Sequence, residues 1–201
     1  MLALHGFPMS PNTRRVRLAL EEVGAPYEFV PVDLMTGAHR TDAYKELNPT
    51  MRVPVLVDGD YRLWESNACL HYLAERFPEK GLLPEGARGR GLVSQWVFMN
   101  AAHLSPAVAH VFAHSIRLPE EQRIPKMVEN GRLEIDRCLG PLDARLSTRE
   151  FVVDKFGVAD LSIAPTLGYA PMLGIDLSRF PHVAAWMARV QARESWQRIY
   201  G

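Results

Sequence analysis

Apolar positions follow two different periods along this chain, and the change from one to the other falls near residue 80. Residues 1–5 (MLALH) form a short apolar strand, broken by Gly6 and Pro8. The following TRRVRLALEEVG places Val16, Leu18, Ala19, Leu20 and Val23 on a buried helical face, with Gly24 as a C-terminal stop. Residues 27–32 read as a second strand, rich in β-formers. Strand, helix and strand within about thirty residues predict a βαβ unit with parallel strands and a right-handed crossover. A short helical link near residues 43–47 leads to a hairpin: an apolar run over 53–57 opened by Pro54, the turn Asp58-Gly59-Asp60, and a return strand over 61–64. Cys69, Tyr72, Leu73 and Phe77 then recur at helical spacing, with Ser66 as the expected N-cap.

Pro78, Gly81, Pro84 and Gly86 punctuate the next stretch, and no β pattern recurs beyond them. The expected organisation is a mixed α/β domain over 1–79, a linker, and an all-helical domain over 86–201. Within the latter, residues 87–114 form a long helical pattern. Leu92, Trp96, Met99, His103, Ala107, His110 and His114 share one face, and Val93, Val97, Leu104, Val108 and Phe112 the other. Pro106 is expected to kink it. A second pattern over 120–146, striped by Ile124, Val128, Gly131, Ile135, Leu139, Leu142 and Leu146, is expected antiparallel to the first, making a bundle.

Composition narrows the function classes. The 201 residues carry 23 basic and 23 acidic side chains, and the pI is near 7.1, so no electrostatic pull toward nucleic acid or an anionic membrane is expected. No apolar run reaches the roughly 18 residues of a membrane span, and MLALHGFPM is too quickly interrupted for a signal peptide; a cytoplasmic protein is the expectation. Cys69 and Cys138 belong to no CxxC or metal-spaced cluster and fall on apolar stripes, so buried inert thiols are expected. His110 and His114 stand at i, i+4 without a third ligand or an HExxH pattern, and no metal site is assigned to them.

Two places carry candidate chemistry. Pro54 cannot donate to a sheet ladder, so it belongs at an edge or in a cis bond, and Val53 before it keeps free main-chain groups to which an extended peptide can add. Glu65-Ser66 offers a helix N-terminus suited to a carboxylate, and Glu65 an acceptor for an ammonium group. A peptide ending in an amine and a carboxylate on one carbon satisfies all three. An ordinary edge proline and an ordinary cap explain the same residues.

VPVLVDGDYRLWES, with SPNTRRVRLALEE upstream, resembles the glutathione-binding domain of the cytosolic glutathione transferases, closest to the phi and theta classes and their bacterial relatives that use serine. FGVADL resembles the family's capping segment before a buried helix, with Gly157 in place of the usual hydroxyl residue, and FPHVAAW and WQR resemble its terminal helices. The likeness spans nearly the whole chain. It implies an α/β thioredoxin-like N-terminal domain (βαβ-α-ββα) followed by an all-α helical bundle.

It also implies roles. Ser10 stands where redox proteins of that fold carry a CxxC, and the turn reads Ser10-Pro11-Asn12-Thr13, which excludes dithiol exchange. Ser10 would donate to the glutathione sulfur or, alternatively, serve only as an N-cap, and Asn12 would be a second donor or a cap. Val53 beside Pro54 would pair with the cysteinyl main chain, Glu65 and Ser66 would hold the γ-glutamyl end, and His39 and Arg40 the glycyl carboxylate. Arg52 occupies a place that often holds Gln, or is a solvated surface arginine. Trp96, His103 and His110 would wall an electrophile pocket, or be polar packing. The activity so implied is conjugation of glutathione, as co-substrate and with no other cofactor, to a small and hydrophobic electrophile by a homodimer. A glutathione-dependent peroxidase, dehalogenase, isomerase or lyase, or a non-catalytic binding relative, stand as alternatives.

Overall fold

The computed structural model describes all residues, 1–201. Its first strand, β1 (Leu2–Gly6), buries alternate residues, and Leu2 and Leu4 turn into the core. β2 (Tyr27–Pro31) lies parallel to it, with Leu2 opposite Tyr27, and the crossover is α1 (Pro11–Val23). The hairpin of β3 (Val55–Asp58) and β4 (Tyr61–Trp64) follows the helix α2 (Asp42–Leu47) and joins antiparallel to β1, giving the order β2-β1-β3-β4. α1 packs against α3 (Ser66–Arg76), closing a core of Val16, Leu18, Leu20, Leu56, Leu70 and Leu73. Gly24 ends α1 at φ 68°, a left-handed conformation in which its N–H returns to the Glu21 carbonyl. This is the thioredoxin-like arrangement that the patterning predicted.

β3 is an interior strand, so the proline before it cannot be an edge proline. Pro54 instead follows a cis peptide bond, and the ladder begins at Val55, after the missing N–H.

The chain divides into two compact units, Met1–Leu83 with Glu194–Gly201, and Pro84–Arg193. The last helix, α9 (Glu194–Tyr200), was expected within a helical domain running to residue 201. It belongs instead to the first unit, because Trp196 and Ile199 are buried and Arg198 pairs with Glu21 of α1 at 3.2 Å.

In the second unit, α4 (Gly86–Met99) runs through a wide π turn (Asn100–Leu104) into α5 (Ser105–Phe112), and a second π turn (Ala113–Arg117) follows. Pro106 falls just after the first wide turn, where its ring would crowd the Ala102 carbonyl of a regular helix; the wider turn absorbs the expected kink. α6 (Pro125–Leu146) packs on α5 through Gly131. A Cβ there would stand 2.9 Å from the Ala107 carbonyl oxygen and 2.8 Å from Val111 Cγ2, so the two helices close only over a glycine. α7 (Val158–Leu167) is buried along its whole length, and α8 (Pro181–Gln191) covers it with Trp186.

Asp160 holds the entry to α7. Its buried carboxylate accepts from the Val152 N–H at 3.0 Å, the Gly157 N–H at 3.0 Å and the Trp186 indole N–H at 2.8 Å. Loss of hydration outweighs these three donors and pushes the carboxyl up to about 6. Gly157 brings no side chain to the cap, so the turn depends on Asp160. Asp160→Ala leaves three buried donors without an acceptor, at about 1–3 kcal/mol each. We expect urea denaturation to show a loss of at least about 3 kcal/mol, while Gly157→Ser changes stability by only a few tenths of a kcal/mol.

Candidate functional site

The N-termini of α1 and α3 are brought together by one buried side chain. Arg15 Nη1 donates to Asn12 Oδ1 at 3.0 Å and to Ser66 Oγ at 2.7 Å, joining residues 51 apart in sequence. Arg15 is 2% exposed, and burial lowers its guanidinium to about 10, against the opposing fields of Tyr200 and Glu65. It therefore remains a cation at neutral pH. Sequence reading missed it, although a signal was there: Arg15 stands three and four residues before Leu18 and Ala19, on the apolar stripe of its helix, where a charge needs a reason.

Ser10 is the N-cap of α1, and its Oγ accepts from the Thr13 N–H at 3.4 Å. That bond uses an oxygen lone pair and leaves the hydroxyl proton available to a second partner. Ser10 N–H donates to the Phe7 carbonyl at 2.9 Å, closing a four-residue turn from β1 into α1. The approach is tight: a Cβ on Gly6 would meet Thr13 Oγ1 at 2.8 Å, and Thr13 is fully buried. Asn12 presents its Oδ1 to Arg15, which turns its amide NH2 away as a free donor.

Ser66 is not the cap of α3 but its first residue. Glu65 holds the cap position at φ 69° without a side-chain cap bond, a conformation that costs a non-glycine residue about 1–3 kcal/mol. The Ser66 hydroxyl accepts from Arg15, so a buried cation stands beside the first turn of α3, whose cap residue makes no side-chain bond. This end of the helix suits an anion. The Glu65 carboxylate is exposed beside it.

Val53 stands just before β3, ahead of the cis proline. The carbonyl of Arg52 is fixed by the Tyr44 hydroxyl at 3.0 Å and by Asn48 Nδ2 at 2.7 Å, whereas the main chain of Val53 takes no part in the ladder. Val53 and Ala38 pack on one apolar cluster with Val32, Tyr44 and Val55, which brings the single turn Ala38–Arg40 beside it. On that turn His39 is half-buried with Nδ1 unpartnered, and Arg40 is exposed, as is Arg52.

The helical unit separates three residues that the sequence had placed on one face. Trp96 lies in the core, 6% exposed, on the line of Val93, Val97, Asn100 and Leu104, with its indole N–H buried and unpartnered. His103 and His110 are exposed and line a groove of about 540 Å³ with Pro106, Met127, Leu133 and Glu134. The π turn at Asn100–Leu104 is the cause: it winds less per residue than an α-helix, so His103 emerges roughly a quarter-turn away from Trp96. His103 Nδ1 lies 3.6 Å from Glu134 Oε1. His114 Nδ1 accepts the Ile124 N–H at 3.2 Å, so it serves the chain's own backbone.

Both cysteines are free and buried, and burial raises their thiols to about 12 for Cys69 and about 11 for Cys138, which rules out either as a nucleophile at neutral pH. No group of three or more His, Cys, Asp or Glu is placed to hold a metal ion.

Comparison with known proteins agrees with this architecture. Residues 1–75 match the model of the glutathione S-transferase N-terminal domain and residues 103–194 that of the C-terminal domain. Glutathione S-transferase 3 of Zea mays is 35% identical over 206 residues, covering 98% of this chain and 92% of its own. Glutathione S-transferase F10 of Arabidopsis thaliana is 32% identical, covering 96% and 93%. Among solved structures, glutathione transferase URE2P6 from Phanerochaete chrysosporium, in complex with oxidized glutathione, superposes with a TM-score of 0.91 at 31% identity, covering 99% of this chain and 94% of that one. The chain belongs to the glutathione S-transferase family.

Gly6→Ala tests how closely the Ser10 turn is built. The new methyl cannot coexist with Thr13 where it stands, so the first turn of α1 must move off the sheet. We expect about 1–3 kcal/mol of destabilisation by thermal unfolding, and amide chemical shifts that change around Ser10 and Thr13 while the helical unit's spectrum stays in place.

Proposed function

We propose that this transferase binds glutathione stretched along residue 53, ionises its thiol beside Ser10, and conjugates the thiolate to an electrophilic small molecule. The observation that carries the reading is the Ser10 hydroxyl. It accepts from Thr13 and so keeps its proton for a sulfur placed at the start of α1. The helix N-terminus favours the negative charge, and the Asn12 amide offers a second donor. Bringing a thiol from about 8.5 to about 7 takes roughly 2 kcal/mol of preferential interaction with the thiolate. One hydrogen bond to a charged group contributes about 1.5–3 kcal/mol.

The rest of the tripeptide follows from the same geometry. The cysteinyl main chain pairs with the free N–H and C=O of Val53, as an added strand does. The γ-glutamyl carboxylate takes the open N-terminus of α3 at Ser66, with Arg15 behind it, and the ammonium group takes Glu65. His39, Arg40 and Arg52 surround the glycyl end, where a carboxylate finds one imidazole and two guanidinium groups. No bond between protein and substrate is required; ionisation and proximity supply the rate.

We also propose a homodimer in the cytoplasm. β4 is a sheet edge that leaves Tyr61 47% and Trp64 37% exposed, and the helical unit exposes Phe98 to 68% and Leu133 to 52%, apolar surface that a second copy would cover. Free thiols suit a reducing compartment, and no helix is long and apolar enough to cross a membrane.

Ser10→Ala removes the donor and leaves the peptide-binding groups intact. With 1-chloro-2,4-dinitrobenzene near pH 6.5, kcat/KM is expected to fall at least about tenfold, the loss of more than about 1.4 kcal/mol. Calorimetric affinity for glutathione should change far less. The deficit should narrow as pH rises through the thiol's unaided value near 8.5, because the thiolate then forms without help. A rate independent of Ser10 across this range would end the proposal. Arg15→Gln is expected to act differently: it removes the charge behind α3, so KM for glutathione rises about tenfold or more while kcat changes less.

A further inference from the structure

Ser10 ends the turn whose two middle residues are Pro8 and Met9. Arg14 holds that turn from outside. Its Nε donates to the Pro8 carbonyl at 3.1 Å, and its Nη2 lies 3.3 Å from Met9 Sδ. The guanidinium that makes both contacts sits over the ring of Tyr200, 4.2 Å from its centroid. Tyr200 is in turn stacked on Trp196, with ring centroids 4.0 Å apart and planes 3° from parallel. α9 is bound to α1 by Arg198 with Glu21 and by the Ser195 hydroxyl with Glu22. An aromatic face that receives a guanidinium restricts it to one plane, and an arginine so restricted holds its fork steady. Residues at the far end of the chain thus reach, through one side chain, the turn that sets the direction of the Ser10 hydroxyl.

We propose that α9 is a positioning element of the thiol site: Tyr200 fixes Arg14, Arg14 fixes the Pro8-Met9 turn, and the turn aims Ser10 at the sulfur. Neither Tyr200 nor Arg14 is among the residues assigned above to glutathione. The proposal rests on the reading of Ser10 given above and adds to it two residues that lie outside the peptide-binding groups.

The test uses the full-length protein and follows the ultraviolet absorbance of bound glutathione thiolate against pH, with glutathione affinity measured by calorimetry. Tyr200→Leu removes the aromatic face. Arg14→Lys keeps a cation over the ring but drops the fork to Pro8. Tyr200→Phe keeps the face. The first two are expected to raise the apparent pKa of the bound thiol, so that the thiolate fraction near pH 6.5 falls about three- to tenfold, while affinity changes less than about threefold. Tyr200→Phe should restore the parent titration. Should Tyr200→Leu fail to fold, Arg14→Lys carries the comparison with Tyr200→Phe. If Ser10→Ala shifts the titration but neither Tyr200→Leu nor Arg14→Lys does, α9 is only packing and the proposal is overturned while the Ser10 reading stands. If Ser10→Ala leaves the titration unchanged with glutathione still bound, the Ser10 reading fails and the proposal fails with it.

Discussion

A cation buried between two helix starts organises the first unit. Arg15 would be costly to bury alone, and its hydrogen bonds to Asn12 and Ser66 make that burial tolerable. Those partners fix the separation of the α1 and α3 N-termini, and hence, on the reading proposed above, the span between Ser10 and Ser66 that glutathione would bridge. The same interaction engages the Ser66 hydroxyl at the first residue of α3, beside a cap position, Glu65, that makes no side-chain cap bond. One side chain ties together two elements 51 residues apart in sequence.

Much of this was legible in the chain itself, for reasons that differ from element to element. The βαβ unit and the hairpin rest on local periodicity and on glycine and proline punctuation, and they formed where expected. Pro54 was narrowed to two options by its missing N–H; the strand order, which is not local information, chose the cis bond. Arg15 was passed over because a stripe reading counts apolar residues and treats a charge among them as noise. The placement of α9 was misjudged because its seven residues read equally well as the end of a bundle, and only the burial of Trp196 and the contacts of Ser195 and Arg198 with distant residues assign it to α1.

The two units store their specificity in different ways. In the first, polar side chains cross-brace short elements: Tyr44 and Asn48 on the Arg52 carbonyl, Arg14 on the Pro8 carbonyl, Arg15 on Ser66. In the second, a fully buried helix, α7, is framed by a few buried polar contacts. Asp160 gathers three donors at its entry, and Asn100 Nδ2 reaches the Ser162 carbonyl at 2.8 Å. The residues proposed above to hold glutathione belong to the cross-braced kind, where a small displacement is transmitted to a hydroxyl or an amide rather than absorbed by soft packing.

The wide turn at Asn100–Leu104 gives the helical unit a freedom that substitution cannot supply. The π turn takes in one extra residue by winding less per residue, so dropping one residue there would restore regular winding while leaving the residues that follow facing much as they do now. A change of length at that single place would therefore alter the local bulge that carries His103 and leave the buried line from Val93 to Val111 in register.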